Sequence, residues 1–198
     1  MNAINQPLPT PALKEWAIAI QALSQGETIM LLRKGGIHEE AGRFSVEHSR
    51  VLLYPTYEHQ KPHLLKPAYA KRVIAVESGW HPEAIAIHTW AEITHIFQVS
   101  AAETVAALHP FHIWHEQFMV ERFNWKPRQP LYVLLLRVYR LPEVKLLAFQ
   151  AAYGRCKSWI DLPLERSLLQ PTQPVLDDGQ YSQQVAAIQQ QIEHNQPR

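Results

Sequence analysis

Arg33-Lys34-Gly35-Gly36-Ile37-His38-Glu39-Glu40 is the densest run of chemically capable residues in this chain. Two adjacent glycines leave no Cβ between backbone amides and an approaching anion, and Arg33 and Lys34 supply positive charge beside them. The same residues also fit a glycine turn with solvated charges, Arg33 being paired to a structural carboxylate. The run matches neither a phosphate-binding loop nor a dinucleotide fingerprint. A second cationic stretch, Arg122-Phe123-Asn124-Trp125-Lys126-Pro127-Arg128, interleaves charge with aromatic rings. Such a patch suits phosphate contacts with a ring stacked on a base. It equally suits a helix C-terminus, where cations meet the dipole and the rings anchor the turn.

Other groupings carry weaker chemistry. His109, His112 and His115 recur every third residue, and His59 and His63 have ligand-like spacing. Pro110 and Pro62 interrupt the two groups, and the two-histidine zincin pattern is absent, so no metal site and no cofactor is expected. Glu143-Val144-Lys145 resembles half of a nuclease metal site, which needs an earlier acidic residue to hold Mg²⁺. The aspartates, Asp161, Asp177 and Asp178, all come later, which leaves Glu92 as the substitute. Cys156-Lys157-Ser158 places a thiol beside a cation, an arrangement that lowers a thiol pKa, but nothing ties a histidine to it. No serine-centred nucleophile elbow is present.

These side chains must be positioned by the elements around them. Leu131 to Leu136 is a six-residue apolar run after Pro130, continuing through Arg137-Val138-Tyr139-Arg140 to Pro142. It reads as a strand buried on both faces. Arg137 falls in line with its core faces, and a charge buried there needs a partner. Thr10-Pro11 predicts a helix start, with Leu13, Trp16, Ala17, Ile20 and Leu23 as its stripe and Gly26 as its stop. Strands follow over 28–34 and about 50–54, the second stopping at Pro55, with a polar loop over 37–42 between them. Tyr69, Arg72, Val73 and Val76 favour a helix ending at Gly79. From Glu83 to Val99 alternation predicts one bent strand or two successive ones. Ser100 and Glu103 form a capping box, and a further helix should carry Phe111 to Asn124. Beyond a turn at Pro142-Glu143, strands are expected over 144–150 and 156–162. A last helix over 180–193 presents Tyr181, Val185, Ile188 and Ile192. Strands and helices come in runs, which predicts an α+β fold: a mixed, largely antiparallel sheet with N-terminal, central and C-terminal helices packed on it.

The 198 residues suit one globular domain, with 1–9 and 194–198 frayed. A formal net charge of +1 gives no overall field towards nucleic acid or membrane, so any such binding rests on local patches. No apolar stretch reaches the ~20 residues that cross a bilayer. A single cysteine and no visible signal segment point to the cytoplasm.

Several motifs together carry a family resemblance: Leu13-Lys14-Glu15-Trp16, Leu32 to Glu39, Leu53 to Gln60, His112-Ile113-Trp114, Pro130 to Tyr139, Cys156 to Trp159 and Pro174-Val175-Leu176. The chain resembles the prokaryotic family known as domain of unknown function 1802. The resemblance implies a link to restriction-endonuclease-like domains, hence to restriction-modification, and no assigned activity. Its pattern emphasises Arg33, Lys34, His38, Glu39, His59, Arg122, Arg137 and Lys157. The expectation is that Arg33, Lys34, Gly35, Gly36, His38, Glu39, His59 and Arg137 serve one anionic ligand, and that Arg122, Trp125, Lys126, Arg128 and Lys157 form a nucleic-acid patch. The first reading is therefore a binding module for nucleic acid or a phosphate-bearing ligand, in which both groups share one positive face. Alternatives are an enzyme on a phosphorylated or nucleotide substrate, with His38, Glu39 or His59 as acid-base groups, and a structural protein whose charges are ion pairs. Neither catalysis nor oligomeric state follows from the sequence.

Overall fold

The computed structural model describes residues 9–34, 38–40, 43–125, 127–128, 130–154 and 157–195, with backbone alone at 38–40, 43–45 and 154. In chain order the elements are β1 (Thr10–Trp16), α1 (Ala17–Ser24), β2 (Met30–Arg33), β3 (His38–Glu40), β4 (Arg43–Ser45), β5 (Arg50–Thr56) and α2 (Pro67–Ala70). They continue with β6 (Ala84–Val99), α3 (Ala102–Ala107), α4 (Glu116–Asn124), β7 (Leu131–Ala148), α5 (Ala151–Gly154), β8 (Trp159–Leu162), β9 (Gln173–Pro174) and α6 (Asp178–Asn195). The main sheet runs β2-β7-β6-β5-β1-β8, with β9 added against β7. Among the described residues only β1 and β5 pair in parallel. This is the mixed, largely antiparallel α+β arrangement that the order of elements predicts.

The apolar run of β7 is its centre. Leu131 to Val138 are all buried, because β6 and β2 flank the strand while helices cover its faces. In the main core its side chains pack with α1, with Trp114, Phe118 and Met119, and with the α6 stripe of Tyr181, Val185, Ile188 and Ile192. A smaller cluster around Ala12, Leu52, Tyr54, Trp90 and Leu141 packs on the opposite face of β1 and β5.

The sheet is not flat. Three strands separate β2 from β1, which in a flat sheet sets them ~19 Å apart. Yet Arg33 on β2 donates from Nη2 to the carbonyl of Lys14 on β1 at 3.2 Å. The sheet therefore curls until its β2 edge approaches β1.

Local elements differ from expectation at several places: β7 runs through Pro142-Glu143 to Ala148 with no turn there, and the helix expected from Phe111 begins only at Glu116. Thr10 to Trp16 form a strand rather than the first turns of a helix, and α1 begins at Ala17. Leu13 and Trp16 suit helical spacing, but Ala12 and Leu13 on opposite faces are both fully buried, and β5 and β8 satisfy the backbone. Thr10 Oγ1 donates to the Leu164 carbonyl instead of capping. Part of the expected polar loop is the small β3–β4 hairpin. Strand β5 runs through Pro55 to Thr56. Of the helix expected over 68–78 only Pro67–Ala70 forms. Finally, Ser100 and Glu103 make no capping box: α3 starts at Ala102 behind Ala101 without a side-chain cap.

Candidate anion-binding surface

The end of β2 and the C-terminal turn of α4 come together beside β1. Arg33 is held there by position: it is the last residue of β2, paired in register with Tyr132 of β7. Its side chain is buried, and Nη1 lies 3.4 Å from Glu15 Oε2, itself buried on β1. Glu15 Oε1 also accepts from the Trp16 amide at 2.9 Å. A guanidinium at a curling sheet edge thus finds the carboxylate that burial demands.

Arg122 joins the pair from α4. Burial lowers its pKa, Glu15 opposes that shift, and Arg33 adds to it by like-charge repulsion. Its guanidinium sits over the rings of Phe118 and Trp125, 5.3 and 5.7 Å from their centroids, and its Nε is buried with no hydrogen-bond partner among the described residues. Lys34 reaches the same turn, donating from Nζ to the carbonyls of Phe123 and Trp125. That is a cation at a helix C-terminus, where orphan carbonyls and the dipole favour it. Burial and the Arg122 charge both lower the Lys34 pKa. Among the described residues Arg33 and Arg122 therefore share the Glu15 carboxylate, while Lys34 sits on the carbonyls of the same turn. Trp125 closes the helix with 47% of its surface exposed, and Arg128, three residues on, is exposed as well.

A family model described as domain of unknown function (DUF1802) matches residues 12–187. The chain belongs to that family. No curated protein matches it. Among solved structures it is similar to the ASCH protein from Zymomonas mobilis, at 13% identity over 89% of this chain and 93% of that one, with a TM-score of 0.43. A mutant of the same protein is similar at 10% identity, over 91% of this chain and 99% of that one, with a TM-score of 0.42.

The two expected groups of residues thus meet in part. Arg33 and Lys34 from the first share a surface with Arg122 and Trp125 from the second. Lys157 is exposed and precedes Ser158, whose carbonyl accepts from the Lys14 amide on the neighbouring β1. Gly35, Gly36 and Lys126 lie outside the described residues, and His38 and Glu39 are described by backbone alone.

Arg137 belongs elsewhere. It lies five positions along β7 from Tyr132, the register partner of Arg33. Five residues of strand span ~16 Å, and an odd step turns the side chain to the other face. There Arg137 Nη2 donates to Asp178 Oδ1 at 2.5 Å, and its guanidinium lies 4.7 Å from the Tyr181 ring centroid. Asp178 opens α6, so the pair ties that helix to the sheet. His59 is separate as well. It adopts a left-handed φ of 66° in the turn after β5, with Nε2 3.4 Å from Glu58 Oε1. Arg33 and Arg137 therefore lie on opposite faces, each with its own carboxylate, and His59 pairs with Glu58.

The remaining candidates are occupied structurally. His112 Nδ1 accepts from the Trp114 amide, and His115 Nδ1 accepts from the Gln117 amide to cap α4. Lys66 Nζ donates to the carbonyls of His109 and His112. Among the described residues no three potential metal ligands converge. Glu143 pairs with Lys145 at 3.2 Å and Glu92 with Arg50 at 3.4 Å, so neither is poised for a shared ion. Cys156 lies outside the described residues. No helix among those residues is long and apolar enough to cross a membrane.

Sequence reasoning missed Glu15. It stands next to an aromatic in an apolar run and looks like an exposed helical position. The signal available was burial: a carboxylate among Ala12, Leu13 and Trp16 needs a cation once that run is a two-faced strand.

Proposed function

We propose that this protein is an anion-binding module whose natural ligand is nucleic-acid phosphate, engaged across the end of β2 and the C-terminal turn of α4. The observation that carries this reading is the gathering of Arg33, Arg122 and Lys34 at one helix end, the first two on the single carboxylate Glu15 among the described residues, beside an exposed tryptophan. Cations gathered in one place attract phosphates, whose counterions are then released. A ring such as Trp125, steadied by Arg122, is a platform on which any base can stack. Single strands suit this arrangement best, because their bases are free to leave the helix stack.

Fluorescence anisotropy with labelled single- and double-stranded oligonucleotides, taken across a salt series, tests the reading. Affinity should fall linearly on a log–log salt plot, and Arg128→Gln should reduce the slope by about one phosphate contact. Trp125→Ala should weaken single-strand binding by about tenfold without changing that slope, since one stacked base contributes ~1–3 kcal/mol. Affinity indifferent to salt and to both substitutions would remove the basis for the proposal.

A further inference from the structure

A second site lies at the opposite irregularity of the sheet. Strands β6 and β7 pair Ile87 with Lys145 and Thr89 with Arg140, so His88 alone faces the segment Leu141 to Val144. Pro142 in that segment has no N–H to give the ladder, and the chain bulges outward. Between the bulge, α1 and the segment around Ile74 to Trp80 opens a cleft of about 860 Å³, within the size range of small-molecule sites.

Its walls are mainly apolar. Ile20 comes from α1, Val144 from the bulge, and Ile74, which leaves 82% of its surface exposed, from the covering segment. Tyr57 and Trp80 form an edge-to-face pair at the rim, ring centroids 6.0 Å apart. The charges in the lining are one-sided. Arg72, His88 and Arg140 line the cleft, and among the described residues no aspartate or glutamate does. Arg72 is already held by a bidentate pair with Glu27 at 2.9 Å. Arg140 is exposed, and its side chain makes no hydrogen bond or ion pair among the described residues; only its carbonyl is used, accepting from Thr172. An apolar hollow with an uncommitted guanidinium at its edge has a complementary guest.

We infer that this cleft binds a small amphipathic organic anion. Its apolar, partly aromatic body lies against Ile20, Ile74 and Trp80, and its carboxylate or phosphate-ester group is held by Arg140, with His88 beside it as a second donor. None of these residues belongs to the Glu15 cluster, so the inference stands apart from the nucleic-acid reading.

The test titrates the full chain with anilinonaphthalene sulfonate, an aromatic anion that fluoresces when it leaves water, and with the uncharged N-phenylnaphthylamine as its neutral counterpart. Both should bind. Arg140→Gln should weaken the sulfonate by about tenfold, the usual effect of losing one charge-assisted hydrogen bond, and leave the neutral probe within about twofold. Arg140→Glu, at the same exposed position, should abolish sulfonate binding while retaining the neutral probe. Near-UV circular dichroism of each variant confirms native packing. Displacement of the sulfonate by octanoate or by naphthyl phosphate then tells a carboxylate guest from a phosphate ester. Equal sulfonate affinity in the wild type and both variants would overturn the inference. So would failure of either probe to bind, or displacement of the sulfonate by a single-stranded oligonucleotide, which would move the probe to the Glu15 surface.

Discussion

His112 makes stability depend on pH in a way that can be worked from its surroundings. It is 3% exposed, its Nδ1 accepts the Trp114 amide, and its Nε2 has no partner among the described residues. A neutral ring that accepts at Nδ1 carries its proton on Nε2, so protonation would add a charge inside the core. Burial, followed by the nearby Lys66 and His109, lowers its pKa from 6.5 to about 3. The unfolded chain therefore takes up a proton that the folded chain refuses. Stability is full well above the unfolded pKa and declines as pH falls from there towards about 3. Between about pH 7.5 and about pH 5 the loss from this group alone is about 2 kcal/mol, or about 4–8 °C in Tm for a chain of this size. Other groups titrate in that range, so the assay is a difference: urea unfolding of wild type and His112→Gln at both pH values. The variant should be less stable at the higher pH, and its deficit should shrink by about 2 kcal/mol at the lower one. A deficit unchanged across the range, or an imidazole resonance titrating near 6.5, would refute the reasoning.

Three further outcomes follow from the same structure. Glu15→Gln leaves Arg33 and Arg122 facing each other without their carboxylate; it should cost about 3–5 kcal/mol in urea unfolding, and added phosphate should recover more stability in the variant than in the wild type. Gly26 has a φ of 73°, and a Cβ there would stand 2.7 Å from Leu176 Cδ2, whereas Gly79, at 82°, has nothing within 4 Å. Gly26→Ala should therefore lower stability by about 2 kcal/mol or more, and Gly79→Ala by only about 1 kcal/mol, the cost of the left-handed backbone alone. Arg137→Ala should cost about 2 kcal/mol through lost packing on Tyr181, and Asp178→Asn less, because Asp178 is 99% exposed and water replaces its partner; thermal melts rank the two.

Much of the architecture follows from local pattern. The β7 run reads as a strand covered on both faces, since six consecutive apolar residues leave no polar side to turn to water and their shortness, with Pro130 before them, favours a strand over a buried helix. The α6 stripe is legible for the same reason: Tyr181, Val185, Ile188 and Ile192 recur at helical spacing and all are buried. That Arg137 must be paired was also evident, because a charge in line with core positions cannot stay alone.

Which residue pairs it was decided only by tertiary structure. Asp178 lies 41 residues away, and nothing in its neighbourhood marks it as a partner. The N-terminal segment shows the same limit. Leu13 and Trp16 fit helical spacing, and the extended form came from β5 and β8 offering ladders on both sides. The Glu15 cluster needed the curling of the sheet to bring β1, β2 and α4 together. Pairing energies depend on proximity in space, and proximity between distant segments is set by how whole sheets and helices pack, so it leaves no mark on local sequence.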